Sequence, residues 1–219
     1  MKKFAFILAA VMMMAFTTTA SAQFMGGNGG GRQVAAANVD AFSAAWVVYS
    51  PTSFKEGSHS SDGYNTFSFG ITHATPLASI PLLLEYGAYA DWTTKTRKDG
   101  SVSSTFNLAG VKVPVNLMYP LELANNMVVY PYAGLNARVF VLGNYKYKYE
   151  GNSHTDSIFD EDSYMKRFSL GYQLGVRARF NNLIAGIGYE DMLTSIYKDS
   201  GYDYKAKFNY ITISLGFVF

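Results

Sequence analysis

Seven charged residues lie in segments whose polar and apolar residues alternate: Glu85, Asp91, Lys112, Arg138, Arg177, Arg179 and Glu190. Four are basic and three acidic. The segment 168–180 shows the arrangement best. Phe168, Leu170, Tyr172, Leu174, Val176, Ala178 and Phe180 fall on one face of a strand, and Ser169, Gly171, Gln173, Gly175, Arg177 and Arg179 on the other, because strand side chains alternate with period two. Facing hydrocarbon, each arginine would cost about 2–4 kcal/mol at mid-depth. A membrane-length strand of this kind therefore needs a polar interior. In a narrow, dry interior such charges must pair, because breaking a buried pair costs about 3–5 kcal/mol. The expected chemistry is a salt-bridged plug in which Glu85 meets Arg177 or Arg179. The competing chemistry is a narrow, gated ion path through the same network.

Other reactive groups are few. Acid–base and nucleophilic catalysis needs a base, most often His, beside a nucleophile or carboxylate. Of the three histidines, His59 and His154 fall in predicted outer loops and His73 on the lipid-facing phase of the second strand. None carries a recognisable Ser or Asp constellation, and Thr72 and Thr75 read as strand and turn residues. The expectation is a non-enzyme without cofactor or metal. Asp156, Asp160, Glu161 and Asp162 cluster in the third outer loop. Carboxylates can hold Ca²⁺, but neither the spacing nor a turn glycine matches an EF-hand, so a solvated acidic loop is expected. Tyr145, Tyr147 and Tyr149 alternate with Lys146 and Lys148. They read as the fifth strand continuing past the membrane, Tyr in the aromatic girdle and Lys at the headgroups. An adhesive surface is the alternative, since exposed Tyr is favoured at interfaces.

These side chains need strands of about 9–11 residues that cross a bilayer with lipid and lumen faces alternating. The last segment ends the chain in that pattern: Ile211, Ile213, Leu215, Phe217 and Phe219 on one face, Tyr210, Thr212, Ser214 and Gly216 on the other. Read the same way, lipid is predicted to meet Phe42, Ala44, Trp46 and Val48 on the first strand, and Phe67, Phe69 and Ile71 on the second. It meets Leu82, Leu84, Tyr86, Ala88 and Trp92 on the third, and Val111, Val113, Val115 and Leu117 on the fourth. Phe106 and Leu108 are out of phase with these valines, which predicts a bulge near Ala109-Gly110. Val129, Ala133, Leu135, Ala137, Val139 and Val141 serve the fifth strand, and Leu183, Ala185, Ile187 and Tyr189 the seventh. Connections at 75–81, 120–127 and 181–182 are short. Those at 50–64, 93–104, 143–166 and 197–205 are longer, polar and Tyr-rich, the alternation of periplasmic turns and outer loops. An even strand count then puts both termini in the periplasm.

The N-terminus supplies the route. A basic Met1-Lys2-Lys3, the apolar run 4–16 and Ala20-Ser21-Ala22 form a secretory signal peptide over residues 1–22. Residues 23–36 contain MGGNGGGR and read as a flexible Gly-rich linker, which leaves 37–219 as one domain. There is no Cys, so no disulfide supports the fold. The net charge of +2 argues against a nucleic-acid surface. With 17 Tyr, 16 Phe and 20 Gly, and no apolar run of spanning-helix length outside the signal, the composition fits an outer-membrane barrel.

Three stretches carry a family likeness. VPVNLMYP (113–120), PYAGL (131–135) and the terminal strand resemble small Bacteroidetes-type outer-membrane β-barrel proteins, which share the architecture of OmpA-like and PorT-like barrels. The resemblance covers roughly Val39 to Phe219. Ser214, Gly216, Phe217 and Phe219 resemble the barrel-assembly signal, with its glycine-to-aromatic spacing compressed, and imply recognition by the outer-membrane insertion machinery. Asp156-Ser157-Ile158 resembles an O-glycosylation sequon with Ser157 as acceptor. The expected fold is an eight-stranded antiparallel up-and-down transmembrane β-barrel in the cell outer membrane. Its expected role is structural or a surface interaction through the outer loops, with an extracellular partner that the sequence does not name. The alternatives are a narrow gated pore and a PorT-like secretion-system accessory.

Overall fold

The computed structural model describes residues 40–219 apart from 78–79, 125–126, 151, 160–164 and 198–204. The signal peptide (1–22), the linker (23–36) and Asp160, Glu161 and Asp162 lie outside the described residues.

Period-two segments rich in Val, Ile, Thr, Tyr and Phe favour strands, and the described chain is built of them. In order they are β1 Phe42–Glu56, β2 His59–Pro76, β3 Leu83–Asp99, β4 Val102–Met118, β5 Leu121–Ala124, β6 Met127–Tyr149, β7 Asn152–Ser157, β8 Phe168–Phe180, β9 Leu183–Met192 and β10 Ala206–Val218. Eight of them close a ring, β1-β2-β3-β4-β6-β8-β9-β10, with every neighbour antiparallel. The short β5 and β7 pair only with β6. The seam is β1 on β10, in register from Ala44↔Val218 to Glu56↔Ala206. At its end the Phe219 N–H donates to the Ser43 carbonyl at 2.9 Å. Closure leaves the ring no open edge, which a bilayer requires.

The hairpins at 57–58, 100–101 and 181–182 turn on two described residues. Gly57, Gly100 and Asn181 take φ of 55°, 56° and 53°, the left-handed geometry that matches strand twist in such turns. Consequently the predicted outer loops at 50–64 and 93–104 are not loops. β1 pairs with β2 out to Glu56↔His59, and β3 with β4 out to Asp99↔Val102. Their Thr- and Ser-rich residues are polar but still alternate and still favour strands. β6 runs for 23 residues, about twice a bilayer crossing, so the sheet projects well beyond the membrane at this end.

The faces are sorted as a bilayer demands. Phe69, Ile71, Trp92, Leu135, Leu215 and Phe217 are all more than half exposed on the outside, while Glu85, Asp91, Lys112, Arg138, Arg177 and Glu190 are buried inside. An apolar belt of this extent in water would aggregate. The chain is a transmembrane β-barrel with a polar core.

The predicted phase fails in two places, and one residue of the predicted outer face is covered. On β1, Phe42, Ala44, Trp46 and Val48 are buried in the lumen, and Val47 and Tyr49 face outward. Both faces of β1 are apolar, so alternation alone cannot choose between them. The lumen holds Trp46 because its indole N–H donates to the Thr72 hydroxyl at 2.8 Å. On β6, the register shift opposite Ala109/Gly110 places Phe140 against Gly110 and Leu142 against Ala109. The bulge lies where Phe106 and Leu108 predict it. It also inverts the phase above it, so Tyr145 pairs with Phe106 and continues the inner wall rather than an outer girdle. Tyr189 on β9 lies in the outward phase but is buried, covered beside Tyr172 and bonded by Asn209.

Candidate functional site

The residues with chemistry converge in the lumen, in two tiers. The lower tier centres on Glu85, fully buried on β3. Its Oε2 meets Arg177 Nη1 from β8, and Thr72 donates to the same oxygen at 3.2 Å. The Asn116 amide donates to Oε1 at 2.6 Å, and Gln173 donates to Asn116 Oδ1 at 2.7 Å. The Arg177 guanidinium lies between the rings of Trp46 and Tyr132, 4.5 and 4.4 Å from their centroids. Cation–π contact of this kind is strongest where water is excluded.

The upper tier centres on Arg138 of β6. Its Nε donates to Asp91 Oδ2 at 2.7 Å, and its Nη2 lies 2.8 Å from Glu190 Oε1. That second contact is a close ion pair without hydrogen-bond alignment, since Oε1 has no directed donor. Lys112 donates to Glu190 Oε2 at 3.2 Å. Rings line this tier too, with Tyr210 under Arg138 at 4.5 Å and Tyr89 near Lys112 at 5.0 Å. The six buried charges are three cations and three anions, each anion touching a cation. Such a set escapes the penalty of an isolated buried charge.

Both ends of the network meet aromatic layers. Toward the projecting end, Phe208 packs on Phe54, Tyr64 and Tyr210 at 5.1, 5.6 and 6.2 Å, with Leu108, Phe140, Met192 and Ile196 in the same cluster. Toward the other end, Phe42 packs on Tyr130 at 5.8 Å. Periodicity places Tyr210 on the lumen face and marks Phe106 and Leu108 as out of phase, but it could not show that Phe54, Tyr64 and Phe208 join them, because inward aromatics look the same as lipid-facing ones.

Arg179 stands apart from the other six predicted residues. It is half-buried at the rim, where its Nε donates to the Asn181 carbonyl at 2.8 Å and its guanidinium lies 5.0 Å from the Phe42 ring. Among the described residues it meets no carboxylate, so Glu85 pairs with Arg177 and not with Arg179. Two residues nearer the turn than Arg177, it lies too close to the barrel mouth. In the terminal strand Gly216 faces the lumen. A Cβ there would stand 2.7 Å from the Trp46 ring, 2.9 Å from Ile184 and 3.0 Å from the Ala45 carbonyl. Gly216→Ala is expected to push Trp46 off Arg177 and to lower stability by about 1–3 kcal/mol. Urea unfolding followed by Trp fluorescence reads both effects, and a midpoint and spectrum like those of the parent would contradict this.

The histidines lie elsewhere. Ser43 Oγ is 3.0 Å from His73 Nδ1, near Tyr86 on the outer face, with no carboxylate beside the pair among the described residues. His154 Nε2 contacts Asp156 at 2.7 Å on the exposed β7. Among the described residues, no group of three or more His, Cys, Asp or Glu is placed to hold a metal ion. Ser157 is exposed at the end of β7 and accepts from the Phe159 N–H at 3.2 Å.

No protein-family model and no curated protein sequence matches the chain. Among solved structures it is similar to small outer-membrane barrels. Ail, the attachment invasion locus protein of Yersinia pestis, matches at 16% identity and a TM-score of 0.44, over 83% of this chain and 100% of that one. Neisserial surface protein A matches at 14% and 0.45, over 81% and 97%. A major outer membrane protein of Thermus thermophilus matches at 12% and 0.46, over 82% and 99%. At these values the likeness adds nothing to what strand pairing and burial already establish.

Proposed function

We propose that this chain is a non-enzymatic integral protein of the cell outer membrane, with a filled lumen and a structural or surface-interaction role carried by its projecting sheet. The observation behind the reading is the balanced, buried set of six charges closed above and below by aromatic layers, inside a wall whose outer face is apolar. A dry, paired interior favours rigidity over passage, so any partner is met outside, where β6 and β7 carry Tyr145, Tyr147, His154 and Asp156 on one exposed face.

The same reading places the termini in the periplasm, because the chain end at Phe219 lies beside the Asn181-Asn182 turn, at the end opposite the projecting sheet of β6, and in such barrels the longer extensions face outside. Brief trypsin treatment of intact cells is then expected to cut at Lys146 or Lys148 while leaving the barrel whole. Cutting there only after the outer membrane is permeabilised would reverse the orientation. Loss of adhesion on deleting residues 143–166 would support the surface-interaction role, and an unchanged phenotype would sink it.

The kinship to Bacteroidetes-type and PorT-like barrels, the assembly signal at Ser214, Gly216, Phe217 and Phe219, and modification at Ser157 belong to this reading. Deleting Phe219 tests the second through the yield of inserted barrel. The intact mass of the mature protein tests the third.

A further inference from the structure

One polar cluster points away from the lumen. On the outer face of β1, β8, β9 and β10, just above the lipid-facing run of Phe217, Leu215, Ile213 and Ile211, lie Tyr172, Tyr189, Asp191, Asn209, Lys55 and Lys207. We infer that this cluster is a binding site for the phosphorylated sugar headgroup of an outer-leaflet glycolipid, with Lys55 and Lys207 as the phosphate ligands.

Depth is the first support. At about 3.4 Å per residue and a tilt of about 40°, the roughly ten residues from Phe217 to Lys207 climb about 26 Å, against an apolar belt of about 25 Å. Lys207 therefore stands where hydrocarbon gives way to headgroups. Charge is the second. Lys55 and Lys207 are directly opposed across the seam, and like charges in that position repel. Asp191 interacts with both, but one carboxylate leaves the trio at net positive charge. A phosphate seated between the two ammonium groups would relieve the repulsion.

Unused acceptors are the third. Asn209 is 3% exposed. Its amide donates to Tyr189 Oη at 2.8 Å, yet its Oδ1 has no donor, nor has Asp191 Oδ1 beside it. Buried acceptors without partners are uncommon and costly. Sugar hydroxyls would supply donors there, whereas acyl chains would not. Both acceptors sit on the lipid side, so the lumen network cannot serve them.

The inference rests on the membrane-spanning, projecting-end-outward reading above. Its test uses the full mature barrel in phosphatidylcholine nanodiscs doped with bis-phosphorylated or dephosphorylated lipid A, with bound lipid counted by native mass spectrometry. The phosphorylated form is expected to be retained on the order of tenfold more strongly, two lysines at a membrane surface contributing an effect of that size. Lys55→Gln with Lys207→Gln should abolish the preference, and Lys146→Gln with Lys148→Gln should leave it intact. Equal retention of both lipids overturns the site. So does equal loss in the two variants, which would mean unspecific positive charge. Full competition by millimolar inorganic phosphate would also overturn it, pointing to a free-anion site. A barrel that refuses to enter the nanodisc would instead bring down the membrane reading and this site with it.

Discussion

Glu85→Ala is expected to destabilise the barrel by about 3–5 kcal/mol, the range for removing one member of a buried ion pair. The substitution strands Arg177, 6% exposed, without its only carboxylate among the described residues. Arg177 Nε already lacks a partner, so little hydrogen bonding remains to the cation. Trp46 and Tyr132 still face the guanidinium and hold the loss toward the lower end of the range. With a urea dependence of about 1–3 kcal/mol per molar, the midpoint should fall by about 1 M or more. Glu85→Leu combined with Arg177→Met removes both charges at similar volume and should return most of that loss. A single variant as stable as the parent would show that Arg177 is solvated and the lower tier is wet.

The second large effect is at Arg138. It serves two carboxylates, Asp91 through Nε and Glu190 through Nη2, and is 2% exposed. Arg138→Met leaves those two anions with Lys112 alone, and Lys112 is committed to Glu190 at 3.2 Å. Asp91 then keeps only the attraction of Lys112, which it must share with Glu190, and a loss of about 3–5 kcal/mol follows. Adding Asp91→Asn restores neutrality and should recover part of the loss, although the Arg138 stack on Tyr210 stays missing. Recovery separates charge imbalance from lost packing. If the double variant is no better than Arg138→Met, packing and not pairing dominates the upper tier.

The barrel itself was legible because its strongest signals are local. Arg177 and Glu190 interrupt otherwise apolar alternation, and hydrocarbon does not tolerate them, so their inward phase follows without long-range information. The bulge at Ala109-Gly110 was legible for the same reason, since Phe106 and Leu108 fall out of step with Val111 and Val113. β1 was not, because Trp46 and Val47 are both apolar and only the Arg177 and Thr72 contacts across the lumen decide which of them enters. The Tyr145 ladder misled because the bulge visible on β4 also shifts β6, and pairing between strands is not written in either strand alone. Arg179 misled because alternation fixes a face but not a height; its neighbour Asn181 sits at the turn. The outward cluster at Lys55 and Lys207 is not legible in the sequence, because its members come from four strands and meet only on closure of the seam.

Single-channel recording in planar bilayers tests the filled lumen most directly. With six paired charges between the Phe208 and Phe42 layers, the inserted parent barrel should show no unitary conductance above the bare bilayer. Glu85→Ala, which unpairs the lower tier, is the variant expected to leak first. Steady, ion-selective steps from the parent protein would contradict the account and establish the narrow pore in its place.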